Sequence, residues 1–371
     1  MRFQSLVVLL IAGLAFQVLR PRNQEAPRFK HLSEGLYSLT QWWQPIPGLL
    51  YYPVSVFIAR QEGKWVLVDA GVLGTQRQPH AAQLLAALQA TVPAEEKLAA
   101  ILVSHHHPDH TGALPLLLEA FPDTPVAFYE DERPFLLGNK TFAQPGSLQA
   151  RLFRWIGLLG ERPFKARSSR LRAIAGRTGI QKACLRRLAV PSAHLSSTAF
   201  TVGISPWTTR HPAPLPQVPA SRAHVLEEPL ADLSVFGVDH LIYIPSPGHS
   251  PGHISLLHHP SRTLLAVDGV SFIRPSLRRS SPGDANDTRV VWSFKPLPFL
   301  PGLTLRAEPH IVCQGPECER ERAEKSFCLL ADAMEYRRVL ASHDLAAASG
   351  GGWTQPCPCV PPGVFRGFVA G

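Results

Sequence analysis

Six cysteines in 371 residues are too few for a disulfide framework to stand in for a hydrophobic core. Cys184 and Cys328 stand alone and read as buried thiols. Cys313 with Cys318, and Cys357 with Cys359, form two close pairs that a secretory compartment would allow to be oxidised. Their C-x4-C and C-x-C spacings are not the C-x2-C of a four-cysteine zinc site, so disulfides or free thiols are the better reading. Acids are scarce as well: 28 Asp and Glu face 37 Lys and Arg, for a net charge of +9. Such a surface prefers anions, whether headgroups, nucleic acid or acidic substrates, and charge alone does not choose among them. Charged residues make up 18% and hydrophobic residues 45%, which argues against disorder and for one large core or two ordinary ones. Proline is in surplus: 36 residues, roughly twice the average usage of ~5%, expected to make many loops and extended connections.

The apolar run at the N-terminus is short. After Arg2 it extends from Ser5 to Leu19 and is followed by Arg20-Pro21-Arg22. That falls below the ~20 residues of a membrane span. It suits a signal peptide, with Gly13-Leu14-Ala15 as a small-x-small cleavage site, or an uncleaved signal anchor with positive flanks; an N-terminal core helix is the third reading. Residues 1–22 are therefore expected to direct the protein into the secretory pathway, as a secreted or lumenal protein or one anchored in the membrane.

The central stretch is Ser104-His105-His106-His107-Pro108-Asp109-His110-Thr111-Gly112. The preceding Lys97 to Val103 reads as a buried strand, and a helix is expected from Gly112. Two-residue spacing in an extended segment turns His105 and His107 to one side and His106 to the other. Asp109 and His110 follow at the turn, where Asp109 could also cap the helix. Imidazoles and a carboxylate so embedded point to a metal site.

Upstream, strands are expected at Gly35 to Trp43, Val54 to Arg60 and Lys64 to Asp69, the last two joined by a tight turn with Gly63. A helix follows near His80 to Thr91, and a strand at Pro125 to Tyr129 leads into the acidic helix start Glu130-Asp131-Glu132. From 138 to 230 the chain carries 14 Lys and Arg against 3 acids, helical at first and Pro-rich from Pro206 to Pro229. Two readings compete for this basic, partly helical insertion: a solvated decoration, or a lid over the site or a surface that lies on anionic membrane. Strands resume at Leu233 to Gly237, Leu241 to Pro245, Ile254 to His258 and Thr263 to Asp268. Residues 274–318 read as irregular, a charged helix as running from about Glu319 to Arg338, and 346–371 as a Gly/Pro/Cys-rich tail.

Three further candidates stand where an apolar strand meets a loop: His249, Asp268 and His343. Each alone is an ordinary loop residue; together with the first cluster they complete two metal spheres.

At this point the sequence resembles the metallo-β-lactamase superfamily. The motifs are Ser-His105-His-His107-Pro-Asp109-His110-Thr-Gly, Pro-Gly-His249-Ser-Pro-Gly-His253, Val-Asp268-Gly and Ser-His343-Asp, with Asp69-Ala70-Gly71 as a fifth. They span about residues 33–137 and 232–345. The resemblance implies an α/β fold, an αββα sandwich of two mixed β-sheets with metals at one edge, in a domain over 33–345 interrupted by the basic insertion. It implies His105, His107 and His249 on one metal, Asp109, His110 and His343 on a second, Asp268 bridging, and Asp69 orienting ligands. His253 matches the loop pattern without being made a ligand. No cysteine stands at a ligand position, which argues against the antibiotic-destroying subclasses that use one.

These ligands suit two Zn2+, with Fe or Mn as substitutes. The implied activity is hydrolysis of an ester, lactone or thioester of a small, possibly anionic molecule by attack of a metal-bridging hydroxide, with Asp109 handling a proton. The loop around His249 is similar to that of acyl-homoserine lactonases, and the histidine run to that of glyoxalase-II-type thioesterases. A mononuclear iron oxidoreductase of the same fold and a phosphodiesterase or nuclease are the alternatives. Nucleic acid is disfavoured, because the basic segment lacks an interleaved aromatic platform. Membrane-surface contact through that segment is a further expectation.

Overall fold

The computed structural model describes residues 27–46, 50–74, 79–138, 217–278, 290–294, 302–313, 317–333 and 336–343. The expected signal or anchor at 1–22, most of the basic insertion and the tail 346–371 lie outside the described residues. Among those described, no helix is long and apolar enough to cross a membrane.

The first sheet has seven strands in chain order: β1 (Lys30–Ser33), β2 (Leu36–Ile46), β3 (Leu50–Gln61), β4 (Lys64–Val68), β5 (Lys97–Val103), β6 (Val126–Tyr129) and β7 (Ala223–Leu226). β1 to β4 form an antiparallel meander, and β4 to β7 run parallel. The turn between β3 and β4 puts Glu62 at φ 48° and Gly63 at φ 75°, two successive positive values that suit a tight hairpin. The second sheet holds β8 (Ala231–Leu233), β9 (Val238–Pro245), β10 (Ile254–His258), β11 (Thr263–Val267) and β15 (Arg338–Ala341), in the order β15-β11-β10-β9-β8, antiparallel except for β11 with β15.

Period-two alternation stacks these sheets. On β4, Val66 and Val68 face the second sheet, where Val238, Tyr243, Leu256 and Leu265 join them in one core. Trp65 and Leu67 turn outward against helix α1 (His80–Thr91), through Leu84 and Leu88, and against helix α3 (Leu114–Ala120), through Leu114 and Leu117. The outer face of the second sheet, Ile244, Leu257 and Leu264, is covered by Phe327 and Leu330 of helix α4 (Arg320–Ala333). The layers therefore read helix, sheet, sheet, helix.

Three sequence expectations change. The strand expected at Leu233 to Gly237 is instead a 3-10 turn, Ser234–Phe236, and β9 already begins at Val238. The stretch 138–230 is not all insertion: Ala223–Leu226 is the edge strand of the first sheet, and Val218 N–H donates to the Leu136 carbonyl at 2.8 Å. Four residues hemmed in by prolines carry too little periodicity to be read as a strand, and neighbouring β6 supplies the pairing. Residues 274–318 are not all irregular either. β12 (Ser271–Arg278), β13 (Val290–Phe294) and β14 (Gly302–His310) form an antiparallel sheet in the order β12-β14-β13. Pro275 is accommodated because β12 is an edge strand of it.

Candidate metal centre

All the candidate ligands leave the sheets at one end. Ser104 to His110 follow β5, His249 lies in the β9–β10 loop, Asp268 follows β11, and His343 follows β15. Pro108–Thr111 forms a short helical turn, α2, on which Asp109 caps nothing, so its carboxylate is left to the site.

His105 Nε2, His107 Nδ1 and His249 Nε2 lie 3.0 to 3.2 Å from one another. The protons of two of them can be placed. His249 Nδ1–H donates to the Val312 carbonyl at 2.9 Å. Ser104 Oγ–H donates to Asp69 Oδ2 at 2.9 Å, so the same oxygen accepts from His105 Nδ1–H at 2.9 Å. Both Nε2 lone pairs therefore point at one spot. Burial first, and the neighbouring imidazoles second, hold His105 and His107 well below the ordinary histidine range; burial also lowers His249. Three neutral imidazoles aimed together are a ligand set for a borderline divalent cation.

Asp109, His110 and His343 form the second group. His110 Nδ1–H donates to Asp69 Oδ2 at 2.7 Å, and His343 Nδ1–H to the Pro53 carbonyl at 2.9 Å, so both Nε2 atoms again face inward. Asp268 stands between the groups. Its Oδ2 is 3.4 Å from His249 Nε2 and 3.1 Å from His343 Nε2, and its Oδ1 is 3.4 Å from His110 Nε2. Burial opposes charge on His110 and His343, but Asp268 and its neighbouring carboxylates outweigh it and raise both well above the usual value. Burial likewise opposes charge on Asp268 and Asp109, and His343 and His110 override it, holding Asp268 well below the carboxylate range and Asp109 low too.

This group passes a test of fit for a cation. Among the described residues, His110 Nε2 and Asp268 Oδ1 are buried with no partner in hydrogen-bond geometry, facing each other at 3.4 Å. Buried polar atoms without partners are costly, and a shared metal would satisfy both. The second group is the more open one: the Asp109 and His343 side chains are 20% and 23% exposed, with His110 sealed, whereas in the first group only His107 is partly exposed.

All seven sequence candidates converge. Asp69 is not among them in contact with the centre; its carboxylate accepts from Ser104 N–H at 2.8 Å and holds His110, an orienting role. His253 donates to Ser246 Oγ at 2.9 Å and accepts from the Asp268 N–H at 3.3 Å, fixing the Asp268 backbone without being a ligand. Burial, and then His249, push its pKa down to about 3.

Sequence reasoning does not reach Ser104, Ser246, Glu132, Glu317 or the carbonyls of Pro53 and Val312. Glu132 sits in a run of three acids that looks solvated, yet it is fully buried against His106. Burial opposes a charge on His106, but hydrogen bonds to Glu132 and Glu317 prevail and raise it to about 9. The Cys313–Cys318 disulfide closes the loop that carries Glu317 and adjoins Val312.

A family model described as the metallo-beta-lactamase superfamily matches residues 50–180. A curated protein of Bacillus subtilis (strain 168), named a probable metallo-hydrolase, YflN, is 26% identical over 174 residues, 47% of this chain and 45% of that one. YobT, an uncharacterised protein of the same organism, is 28% identical over 93 residues, 25% of this chain and 36% of that one. The chain thus spans less than half the length of these curated relatives. Among solved structures, a metallo-beta-lactamase from Erythrobacter litoralis aligns at 13% identity and a TM-score of 0.44, over 88% of this chain and 95% of that one.

Proposed function

The chain belongs to the metallo-β-lactamase superfamily, and from that premise we propose that it is a metal-dependent hydrolase of a small-molecule ester, lactone or thioester. The observation that carries this reading is Asp268, a buried carboxylate within 3.4 Å of imidazoles from both ligand groups. In this reading His105, His107 and His249 hold one Zn2+, Asp109, His110 and His343 hold a second, and Asp268 touches both. Metals bound there would acidify water and polarise the scissile carbonyl oxygen.

The chain's own contribution is orientation and proton handling. Asp69, Ser104, Val312 and Pro53 fix the ring of each histidine they touch, so that the inward nitrogen carries no proton when a metal is held. Asp109 lies at the exposed side of the site, where it can accept a hydrogen bond from the attacking water and pass a proton to the leaving group. Its low basicity favours brief custody of that proton over storage. A small acyl compound suits a centre in which only His107, Asp109 and His343 of the seven are even partly exposed.

The location in the secretory pathway and contact with a membrane surface belong to the same proposal. The Cys313–Cys318 disulfide supports an oxidising compartment.

Metal analysis of protein purified without added metal, followed by a panel of lactones, glutathione thioesters, aryl esters and phosphodiesters, tests the proposal. Two zinc ions per chain, with acyl hydrolysis that a chelator abolishes and zinc restores, is the expected result. His107→Ala and Asp109→Ala should each lower kcat/KM by at least ~100-fold, in line with loss of a metal ligand. A single iron per chain with no hydrolysis would replace this reading with the oxidoreductase alternative, and cleavage confined to phosphodiesters would move it to a nuclease.

A further inference from the structure

On the far side of the His105 to His110 loop from the metal centre lies a second buried polar cluster. Glu132 ends the short turn Glu130–Glu132 after β6 and is fully buried. Its Oε1 accepts from the Ser250 hydroxyl at 2.5 Å and from the Gly252 N–H at 2.8 Å. Its Oε2 accepts from the His106 N–H at 3.1 Å and from His106 Nδ1–H. Nε2–H of the same ring donates to Glu317 Oε2 at 2.8 Å, and the ring lies flat on Phe135, centroids 3.9 Å apart at 4°. Both ring nitrogens of His106 thus lie within hydrogen-bond reach of a carboxylate.

Four donors from two loops meet on one carboxylate. His106 stands between the candidate ligands His105 and His107, and Ser250 directly follows His249. The approach is close: a Cβ on Gly252 would come within 2.7 Å of the Glu132 nitrogen. Apart from Ile254 N–H to the Ser104 carbonyl at 3.1 Å, this carboxylate is the polar tie described between the two loops outside the centre itself.

We propose that Glu132 is a positioning residue for the metal centre, the buried carboxylate that sets the spacing between the His105/His107 loop and the His249 loop so that three imidazoles converge. His106 and Glu317 complete it: the ring and the backbone N–H of His106 both reach Glu132, and Glu317 steadies the ring from its other edge. A carboxylate can accept all four hydrogen bonds, two on each oxygen. An amide of the same shape can accept on one oxygen only, and its NH2 would face two further donors. Glu132→Gln is therefore disruptive despite its size. The proposal rests on the reading of the seven residues as a metal centre.

The test uses the full chain, with zinc affinity read by chelator competition and ligand geometry by the absorption spectrum of the Co2+-substituted protein. Glu132→Gln should weaken zinc binding by ~10- to 100-fold, the range seen when the partner of a metal ligand is lost, and should alter the cobalt spectrum. Ser250→Ala removes one donor of the four and should produce a smaller change of the same sign. A folded Glu132→Gln protein with wild-type zinc affinity and cobalt spectrum overturns the proposal, even if its metal-free thermal midpoint is lower, because that pattern marks a purely structural residue. If Glu132→Gln does not fold, Ser250→Ala decides: unchanged affinity and spectrum overturn the proposal, and a weakened site supports it. A wild-type chain that takes up neither ion removes the metal reading itself, and this inference with it.

Discussion

Two residues beside the centre hold a positive φ without being glycine: Asp69 at 66° and Val267 at 50°. Such a backbone is costly, of order 1–3 kcal/mol, and most of all for a β-branched residue like valine. Both stand where a strand ends and a carboxylate must turn, Asp69 back toward Ser104 and His110, and Val267 just before Asp268. Pairing of Ser342 N–H with the Val267 carbonyl at 3.0 Å holds the second in place. A different residue governs an acid effect away from the centre. His80, at the start of α1, is buried, and burial pushes its pKa down from 6.5 to about 4. Between those values the unfolded chain binds a proton that the native chain refuses, so stability falls as pH drops from about 6.5 to about 4. The loss approaches about 3 kcal/mol and is level below that window. Urea unfolding of the metal-free protein across pH 4 to 7 should show this slope in the wild type and a shallower one in His80→Gln; parallel curves would remove His80 from the account.

At the scale of elements, the site depends on how tightly the β4–α1 loop seats against the junction of α2 and α3. Ala70 N–H donates to the His110 carbonyl at 2.7 Å, and Gly112 N–H donates to the Gly71 carbonyl at 2.8 Å. Gly112 has ordinary helical φ and ψ, so its need is space: a Cβ there would lie 2.1 Å from the Leu73 nitrogen and 2.8 Å from the Gly71 oxygen. Gly112→Ala must push the loop away, and Asp69 moves with it off His110. The expected result is destabilisation of about 1–3 kcal/mol, measured as urea unfolding, together with weaker zinc binding at the open group. Unchanged stability would show that the loop yields without cost. The Cys313–Cys318 disulfide plays a related part: Val312, whose carbonyl accepts from His249, directly precedes it, and Glu317, which meets His106, lies between its two cysteines.

At the scale of the molecule, the two ends of the basic stretch meet. Gly138 N–H donates to the Phe135 carbonyl at 3.2 Å, and Val218 N–H to Leu136 at 2.8 Å, so 138 and 217 leave and rejoin the first sheet side by side. Replacing residues 139–216 by a short Gly/Ser linker should therefore leave a folded protein that binds zinc as the full chain does, with the change confined to substrate preference or surface binding. Calorimetric unfolding and the hydrolase panel read the two parts separately. Loss of cooperative unfolding would mean that the stretch belongs to the core. Its boundary also shows where sequence reading stops: Ala223–Leu226 has too few residues to display a period, and it is a strand because β6 offers it an unpaired edge.

The sequence by itself offered the candidate ligands and most of the strands, and the layered fold followed from the family its motifs resemble. Each candidate ligand is an imidazole or carboxylate placed at or just after the end of an apolar strand, and β4 to β6, β10 and β11 announce themselves by apolar runs. Composition and spacing carry the strands and the ligand types because strand period and metal-ligand type are local properties. Tertiary structure alone decided which groups hold those ligands still. Glu132 in an acidic triplet, Glu317 in a loop and two backbone carbonyls are indistinguishable in sequence from solvated neighbours. Their roles arise from distances across 26 residues for His106 and Glu132 and 211 for His106 and Glu317. Hydrogen bonds between remote segments depend on where the chain returns in space, which no local pattern encodes.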